Sequence, residues 1–213
     1  MPRALYCGRV TANPRRLCRL WAAPVSISAL WSDKVGFLSD PASTFGLNYS
    51  SAAALAGHEV SESPQIELVS EDSVISIPQE VWRCNLMQVR VEDLAFIDKA
   101  LEFSVQSAVD PAATSQADLA MHGICLWFSV GGGVEEASPD AGTPEILSTG
   151  PADPPTHWKQ SVICLPEPLL LSQTETRLSC AVALRRGGGG GASGAGKRCR
   201  QYLISLTVST VSA

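Results

Sequence analysis

Alternating apolar and polar positions mark several strands in the second half of the chain. Leu101, Phe103 and Val105 alternate with polar neighbours, and the same period of two runs through residues 178–184 and 202–208. This period is typical of strands that bury one face. A further strand is predicted over residues 124–130, where Cys125 and Trp127 lie opposite an apolar face. Shorter strand candidates are residues 65–69, 74–77 and 85–91.

Helix signals are few and lie before these strands. The first predicted helix covers residues 28–38. The second covers residues 51–56, with Ser50 as its cap and Gly57 at its end. Two segments rich in glycine, residues 131–145 and 187–196, lie between strands and predict flexible surface loops. Many strands joined by short loops favour a mainly β sandwich or barrel that follows a mostly helical excursion over residues 22–57.

Composition indicates a globular domain. The 213 residues are 45% hydrophobic and 17% charged, and the chain is long enough to bury a substantial core. The formal net charge of −5 argues against a nucleic-acid binder. It would suit a basic partner, although mild acidity is also ordinary for soluble proteins. No apolar run approaches the roughly 20 residues that cross a bilayer, so no membrane span is predicted.

The seven cysteines are scattered and form no C-x-x-C pair, so neither a zinc ribbon nor a redox motif is predicted. Several lie within apolar runs. Free, buried thiols in a reducing compartment are the simplest interpretation, and no metal site is expected.

The N-terminal segment, residues 1–19, is atypical. It contains five arginines and no acidic residue. The segment fits a transit peptide, the tail of a truncated upstream domain or a gene-prediction artefact, and we favour the last two. The β domain is expected to occupy residues 20–213.

No catalytic set can be assembled from the residues alone. Neither G-x-S-x-G nor H-E-x-x-H occurs, and the pair Glu135-Glu136 lies in a predicted solvated loop. The exception is the segment PPTHWKQ at residues 154–160, whose prolines favour an extended path before a strand. His157 and Trp158 there suit an aromatic wall for a cationic guest. On spacing alone, a Trp packed in the barrel beside a hydrogen-bonded His is the favoured alternative.

Several motifs resemble those of the protein arginine N-methyltransferases, in the same order along the chain. The Thr-His-Trp tripeptide matches the THW loop of that family, and the upstream LSTGP matches the segment before it. The strand MHGICLWF is similar to the "hHGhhhWF" strand of the family, where h is apolar. The turn FGLNYS resembles "YGhDhS", with Asn48 in place of the usual Asp. The segments are residues 20–26, 45–50, 121–128, 147–151 and 155–160.

The resemblance implies the C-terminal β-barrel of a two-part, S-adenosylmethionine-dependent enzyme, of the subgroup that forms asymmetric dimethylarginine. It implies a helical dimerisation arm over about residues 28–59. Thr156, His157 and Trp158 are expected to line the substrate pocket. Implied partners are arginine-containing proteins such as histone tails, and a second methyltransferase subunit in a homodimer or mixed dimer. The implied compartment is the nucleus or the cytoplasm.

The chain also departs from the family pattern. The cofactor motif V-L-D-x-G-x-G-x-G and the loop with two catalytic glutamates do not occur, so no Rossmann-like domain is expected here. We therefore predict that this chain alone is inactive and does not bind S-adenosylmethionine, and we assign no catalytic residue. One alternative is a non-catalytic barrel module that pairs with an intact homologue. Another is an unrelated β-sandwich binding domain.

Overall fold

A computed structural model describes residues 15–40, 42, 44–105, 119–133, 145–171, 176–186 and 202–211. The predicted loop at residues 187–196 lies outside these ranges. So does most of the loop predicted at 131–145, whose two ends belong instead to strands. The described strands are β1 Arg15–Val25, β2 Gln65–Glu67, β3 Gln79–Asn85, β4 Phe96–Val105, β5 Ala120–Gly133, β6 Glu145–Ser148, β7 Gln160–Leu170, β8 Thr176–Arg186 and β9 Tyr202–Val211. The helices are α1 Ser28–Lys34 and α2 Ser50–Ser61, with 3-10 turns at Gly36–Ser39, Glu71–Ser73 and Glu92–Leu94.

The strands form two antiparallel sheets. The first sheet has the order β2-β7-β5-β1-β3, and β6 also pairs with β5. The second sheet has the order β4-β8-β9. The β1–β5 ladder is continuous from Arg15 opposite Gly133 to Val25 opposite Gly123. The prediction of a mainly β fold with a helical excursion near its start is confirmed.

The core lies between the two sheets. Leu101, Phe103 and Val105 of β4 are buried there, as their alternation predicts. On β5, Ile124 and Leu126 face this core. Their neighbours Cys125 and Trp127 belong to a second apolar cluster on the opposite face, where it meets the helical excursion. The first sheet is therefore covered on both faces, since successive side chains of a strand point to opposite sides.

Two of the shorter strand predictions are wrong. Residues 85–91 do not form a strand, because β3 occupies Gln79–Asn85. Asn85 ends this strand by accepting a hydrogen bond on its side-chain oxygen from the Met87 N–H at 3.0 Å, as Asn commonly does in turns. Residues 74–77 contribute only an isolated bridge between Val74 and Val25.

The helical excursion between β1 and β2, residues 28–61, is here called the arm. Its helix α2 begins at Ser50, whose backbone N–H donates to Asn48 Oδ1 at 3.0 Å. The helix continues beyond Gly57, so the prediction that this glycine ends it is wrong. A side chain at Gly57 would overlap the backbone carbonyl oxygen of Pro166 in β7. Glycine is needed here for close packing of helix on strand.

His122 of β5 anchors the start of the arm. The backbone N–H of Ile27, immediately before α1, donates to His122 Nδ1 at 3.1 Å. His122 is only 4% exposed, and burial lowers the pKa of its imidazole. Since Nδ1 accepts a hydrogen bond, the neutral imidazole is the form that holds the arm to the sheet.

Candidate functional site

The predicted site residues lie in the connection from β6 to β7, and Gln160 fixes both ends of this connection. The side-chain amide of Gln160 is 3% exposed. Its Nε2 donates to the Thr149 carbonyl oxygen at 2.7 Å, and its Oε1 accepts from the Val69 N–H at 2.9 Å. One buried side chain therefore joins the start of the connection, its end and the segment that follows β2.

Thr149 attaches the same connection to β5. Its backbone N–H donates to the Phe128 carbonyl oxygen at 3.0 Å, and its hydroxyl accepts from the Phe128 N–H at 3.2 Å. Thr149 is 1% exposed. Neither Thr149 nor Gln160 was predicted as a site residue, although both lie within the quoted motifs. Only the fold shows that the Gln160 side chain reaches the Thr149 backbone.

Thr156, His157 and Trp158 lie together in a tight turn. The Lys159 N–H donates to the Thr156 carbonyl oxygen at 3.1 Å, and Lys159 has a φ of 54°, a left-handed conformation that is uncommon for residues other than glycine. The rings of His157 and Trp158 are stacked with centroids 3.9 Å apart. Trp158 also meets Phe128 edge to face at 5.9 Å.

This turn presents a polar and aromatic surface. His157 is exposed and Trp158 is 49% exposed, so neither side chain is packed inside the core. Between them they offer an indole face for a cation and an imidazole that can donate or accept a hydrogen bond. Thr156 Oγ1 is buried and has no hydrogen-bond partner within the described ranges. Their assignment as substrate-binding residues stays a prediction.

A cleft of about 680 Å³ opens beside the same connection. Asp153 Oδ2 and Trp127 Nε1 lie 2.8 and 3.0 Å from the position that a Cβ on Gly150 would take. The absence of a side chain at Gly150 therefore lets a carboxylate and an indole converge at the cleft. Glu71 supplies a second carboxylate, and among the described residues no lysine or arginine lines the cleft, so its field favours cationic groups. The remaining lining is largely apolar: Val74, Ile75, Ile77, Pro78, Pro151 and Ala152.

The arm has its own exposed turn at residues 44–47. The Leu47 N–H donates to the Thr44 carbonyl oxygen at 3.0 Å. The two central residues, Phe45 and Gly46, have φ values of 54° and 81°. Two consecutive positive φ values are those of a type I′ turn, in which a phenylalanine is strained. Phe45 is nevertheless 97% exposed, so its ring packs against almost none of the described residues.

Phe45 is the most exposed of a group of large apolar side chains on the arm. We call this group the arm surface; its members are Phe37, Phe45, Leu47, Tyr49 and Leu55. Several exposed large apolar side chains on one segment make this group a candidate interaction surface. The sequence predicts an arm, but not which of its residues face outward.

The described residues do not fit the methyl donor that the resemblance implies. A nucleotide-type cofactor loop places glycines between the end of a strand and the start of a helix. In the described ranges, no glycine lies at such a junction, since Gly46 precedes α2 but follows no strand, and Gly150 leads from strand to strand. Over the same ranges, no three His, Cys, Asp or Glu side chains converge on a possible metal position. No described helix is long and apolar enough to cross a membrane.

Sequence comparisons identify related proteins. The model of the family described as "Arginine methyltransferase oligomerization subdomain" matches residues 17–188. A rice protein (Oryza sativa subsp. indica) named probable protein arginine N-methyltransferase 6.2 is 27% identical over 179 residues, covering 73% of this chain and 42% of the relative. The chain therefore spans less than half the length of that relative.

Structural comparisons show the same fold in solved enzymes. The crystal structure of PRMT6-SAH superposes with a TM-score of 0.58, at 22% identity, over 92% of this chain and 55% of that one. The Trypanosoma brucei PRMT1 enzyme-prozyme heterotetrameric complex with AdoHcy contains a chain that superposes with a TM-score of 0.55, at 16% identity, over 93% of this chain and 57% of that one.

Proposed function

Because this chain belongs to the protein arginine methyltransferase family through its oligomerization subdomain, we propose that it is the dimerisation and substrate-wall part of an S-adenosylmethionine-dependent protein arginine N-methyltransferase. In this role the arm binds a second subunit. The turn that contains Thr156, His157 and Trp158 forms one wall of the pocket for the target arginine.

The observation that carries this proposal is the strained, exposed turn of the arm. Phe45 adopts a left-handed backbone conformation while 97% of its side chain is exposed. Such a residue costs about 1–3 kcal/mol and persists only where other interactions hold it in place. Burial of its ring in a partner would return about 2–3 kcal/mol, which offsets that cost. The turn therefore suits a contact made between subunits.

The wall can orient a guanidinium group but cannot activate it. Arginine stays protonated at physiological pH, so transfer of a methyl group to it needs carboxylates that orient and neutralise the guanidinium and a donor held in line. S-adenosylmethionine supplies the methyl group in this family. His157 and Trp158 contribute a stacked platform on which the planar guanidinium can lie. The carboxylates and the bound methyl donor that the reaction also needs are assigned to parts of the enzyme other than these residues.

The negative charge of the protein supports the proposal that its substrates are rich in arginine. The net charge of −5 and the carboxylates Glu71 and Asp153 at the cleft attract basic segments such as histone tails or Gly/Arg-rich regions. This attraction acts mainly on association rate and weakens as salt increases. Such substrates imply a nuclear or cytoplasmic location, which is part of the proposal.

The test compares two exposed apolar residues. Phe45→Ser should weaken self-association by at least about tenfold in sedimentation velocity, because it removes the most exposed ring of the arm surface. Leu203→Ser is the matched control, since Leu203 is 67% exposed on β9, away from the arm. Equal association of both variants and the wild type, or a wild type that stays monomeric at every concentration, would contradict the proposed dimerisation.

A second candidate function is a non-catalytic module that pairs with an intact homologue. The superposition on a chain of the enzyme-prozyme complex favours it, because that assembly joins unlike methyltransferase subunits. The arm surface serves both functions equally. Mixing this chain with an intact methyltransferase of the same organism separates them: formation of a mixed complex with altered turnover supports the module, whereas self-association alone supports the first function.

A further inference from the structure

Cys18 and Cys84 lie directly opposite each other on neighbouring strands. They are paired in the register of β1 and β3, the edge strand of the first sheet. Both thiols are free and half-buried, so reagents in solution can reach them. The other three described cysteines, Cys125, Cys164 and Cys180, are buried.

The register meets the geometric requirement of a disulfide. Residues directly opposite in an antiparallel ladder have Cα atoms about 4.5 or 5.5 Å apart, depending on the hydrogen-bond pattern. Disulfides span Cα separations of roughly 4.4–6.8 Å, so both patterns are compatible. The thiols are also close enough to influence each other. The pKa of Cys84 is raised to about 11, mainly by burial and further by the proximity of Cys18.

We propose that Cys18 and Cys84 are a redox modification site that closes into a reversible cross-strand disulfide. The arm lies between β1 and β2, and β3 follows β2 along the chain, so the whole arm lies between the two cysteines in sequence. A bond between these strands therefore closes a covalent ring that contains the whole arm. The ring restrains the root of the arm without occupying the arm surface.

The reaction needs an oxidant, and a small-molecule disulfide such as oxidised glutathione meets this need. One protein thiol loses its proton and attacks a sulfur of glutathione disulfide. A mixed disulfide forms, and one glutathione thiol leaves with the proton. The second protein thiol then attacks the mixed disulfide and releases the second glutathione. Two protein thiols are oxidised to one disulfide, and one glutathione disulfide is reduced to two thiols.

A second pair of cysteines provides an internal control. Cys125 lies opposite Val162 and Cys164 lies opposite Gly123, so the two cysteines are diagonal neighbours on β5 and β7. Diagonal neighbours are about 7–8 Å apart between Cα atoms, which exceeds the usual span of a disulfide. Both thiols are also buried, with exposures of 0% and 4%. The same oxidant should leave this pair reduced.

The test oxidises the full chain with glutathione disulfide at mildly alkaline pH, then blocks remaining thiols in denaturant and maps the peptides by mass spectrometry. The expected product links the peptides of Cys18 and Cys84, while Cys125 and Cys164 carry the blocking group. The thermal midpoint should rise by about 5 °C or more and return on reduction, because the cross-link restricts the unfolded chain. Cys18→Ser and Cys84→Ser should each lack the linked peptide and keep glutathione on the remaining thiol.

Three results would overturn the proposal. The first is a wild type in which both thiols are blocked or separately bear glutathione, without linkage. The second is linkage of Cys125 to Cys164 at a comparable yield, which would show that opposed register does not control the reaction. The third is a linked product whose thermal midpoint is unchanged, since the bond would then not restrain the ring that contains the arm.

Discussion

The turn of the arm and the turn of the substrate wall share one unusual feature and differ in how they are held. Phe45 and Lys159 both have a φ of 54°. The wall turn lies within a connection fixed at both ends by hydrogen bonds of Gln160 and Thr149. The arm turn is closed mainly by contacts of Thr44 with its close neighbours along the chain, which leaves Phe45 almost fully exposed. The wall turn is therefore held by distant parts of the chain, whereas the arm turn leaves its strained side chain exposed.

The difference shows where each turn obtains its stability. A left-handed residue costs about 1–2 kcal/mol wherever it occurs. In the wall turn, long-range bonds within the same chain offset this cost. In the arm turn, the described hydrogen bonds are local, and the proposed contact with a second subunit would supply the offset. Mutations that remove long-range bonds should therefore affect the wall more than the arm.

The largest effect is expected at the buried amide of the wall. Gln160→Leu leaves the Val69 N–H and the Thr149 carbonyl oxygen buried without partners, which costs about 2–5 kcal/mol in the free energy of unfolding. Denaturant unfolding measures this loss. Gln65→Leu is the control, because the Gln65 side-chain amide also makes two hydrogen bonds to the backbone, both to carbonyl oxygens, but at a more exposed position, and its loss should cost below about 1 kcal/mol. Similar losses in both variants would contradict the role of buried long-range hydrogen bonds in holding the wall turn.

The next effect concerns how the arm packs on the sheet. Gly57→Ala forces a methyl group against the Pro166 carbonyl oxygen and should destabilise the protein by about 1–3 kcal/mol, despite the better helix propensity of alanine. Hydrogen exchange of the α2 amides should accelerate. Gly46→Ala meets no atom within 4 Å, so its cost of about 1 kcal/mol comes from the φ of 81° alone and leaves α2 exchange unchanged. If both variants left α2 protection intact, close packing at Gly57 would be refuted.

A smaller effect should appear in the pH dependence of stability, through His122 at the start of the arm. Burial lowers the pKa of His122, so the unfolded chain binds a proton more readily than the folded chain. Stability should fall as pH decreases below about 6.5, the ordinary pKa of histidine, and this group should contribute no slope at higher pH. His122→Asn keeps an acceptor for the Ile27 N–H but does not titrate, so the slope should flatten in pH-dependent unfolding. His58→Asn, at an exposed position of α2, is the control; a flattened slope there instead would contradict the assignment.

The smallest effect tests the strain that the two turns share. Phe45→Gly and Lys159→Gly each relieve a left-handed residue, but glycine also increases the freedom of the unfolded chain, so the net gain in stability is about 0.5 kcal/mol. Thermal unfolding of the monomer measures it. Only Phe45→Gly should also weaken self-association, because Phe45 belongs to the arm surface. A loss of association in Lys159→Gly would show that the turns do not have separate roles.

The strands were predictable where one face meets the core. The alternation at Leu101, Phe103 and Val105 directly reports burial against the second sheet. Helix α2 was predicted too short because glycine commonly occurs at helix ends. Gly57 instead lies inside α2, where it allows close approach to the distant carbonyl oxygen of Pro166. Strand β3 was missed because it is an edge strand with few buried side chains, of which Val81 is the one that packs fully.

The site was predictable only through its resemblance to a family. Spacing alone favoured a Trp158 packed inside the barrel, whereas the structure leaves it half exposed beside His157. The positioning role of Gln160 was not predictable, because one of its two partners, Val69, lies 91 positions away along the chain. Burial of the cysteines was predicted correctly for Cys125, Cys164 and Cys180 but not for the half-exposed pair at Cys18 and Cys84.

The β1–β5 ladder has a consequence for how the protein is made. Trp21 and Ser129, joined by a hydrogen bond across this ladder, are separated by 108 positions. At synthesis rates of about 5–20 residues per second, β1 and the apolar arm leave the ribosome roughly 5–20 s before β5 is available. During that interval the nascent chain displays an unpaired strand and exposed aromatic side chains together. A chaperone that covers residues 15–61 during translation should therefore increase the soluble yield more than one that is added after release.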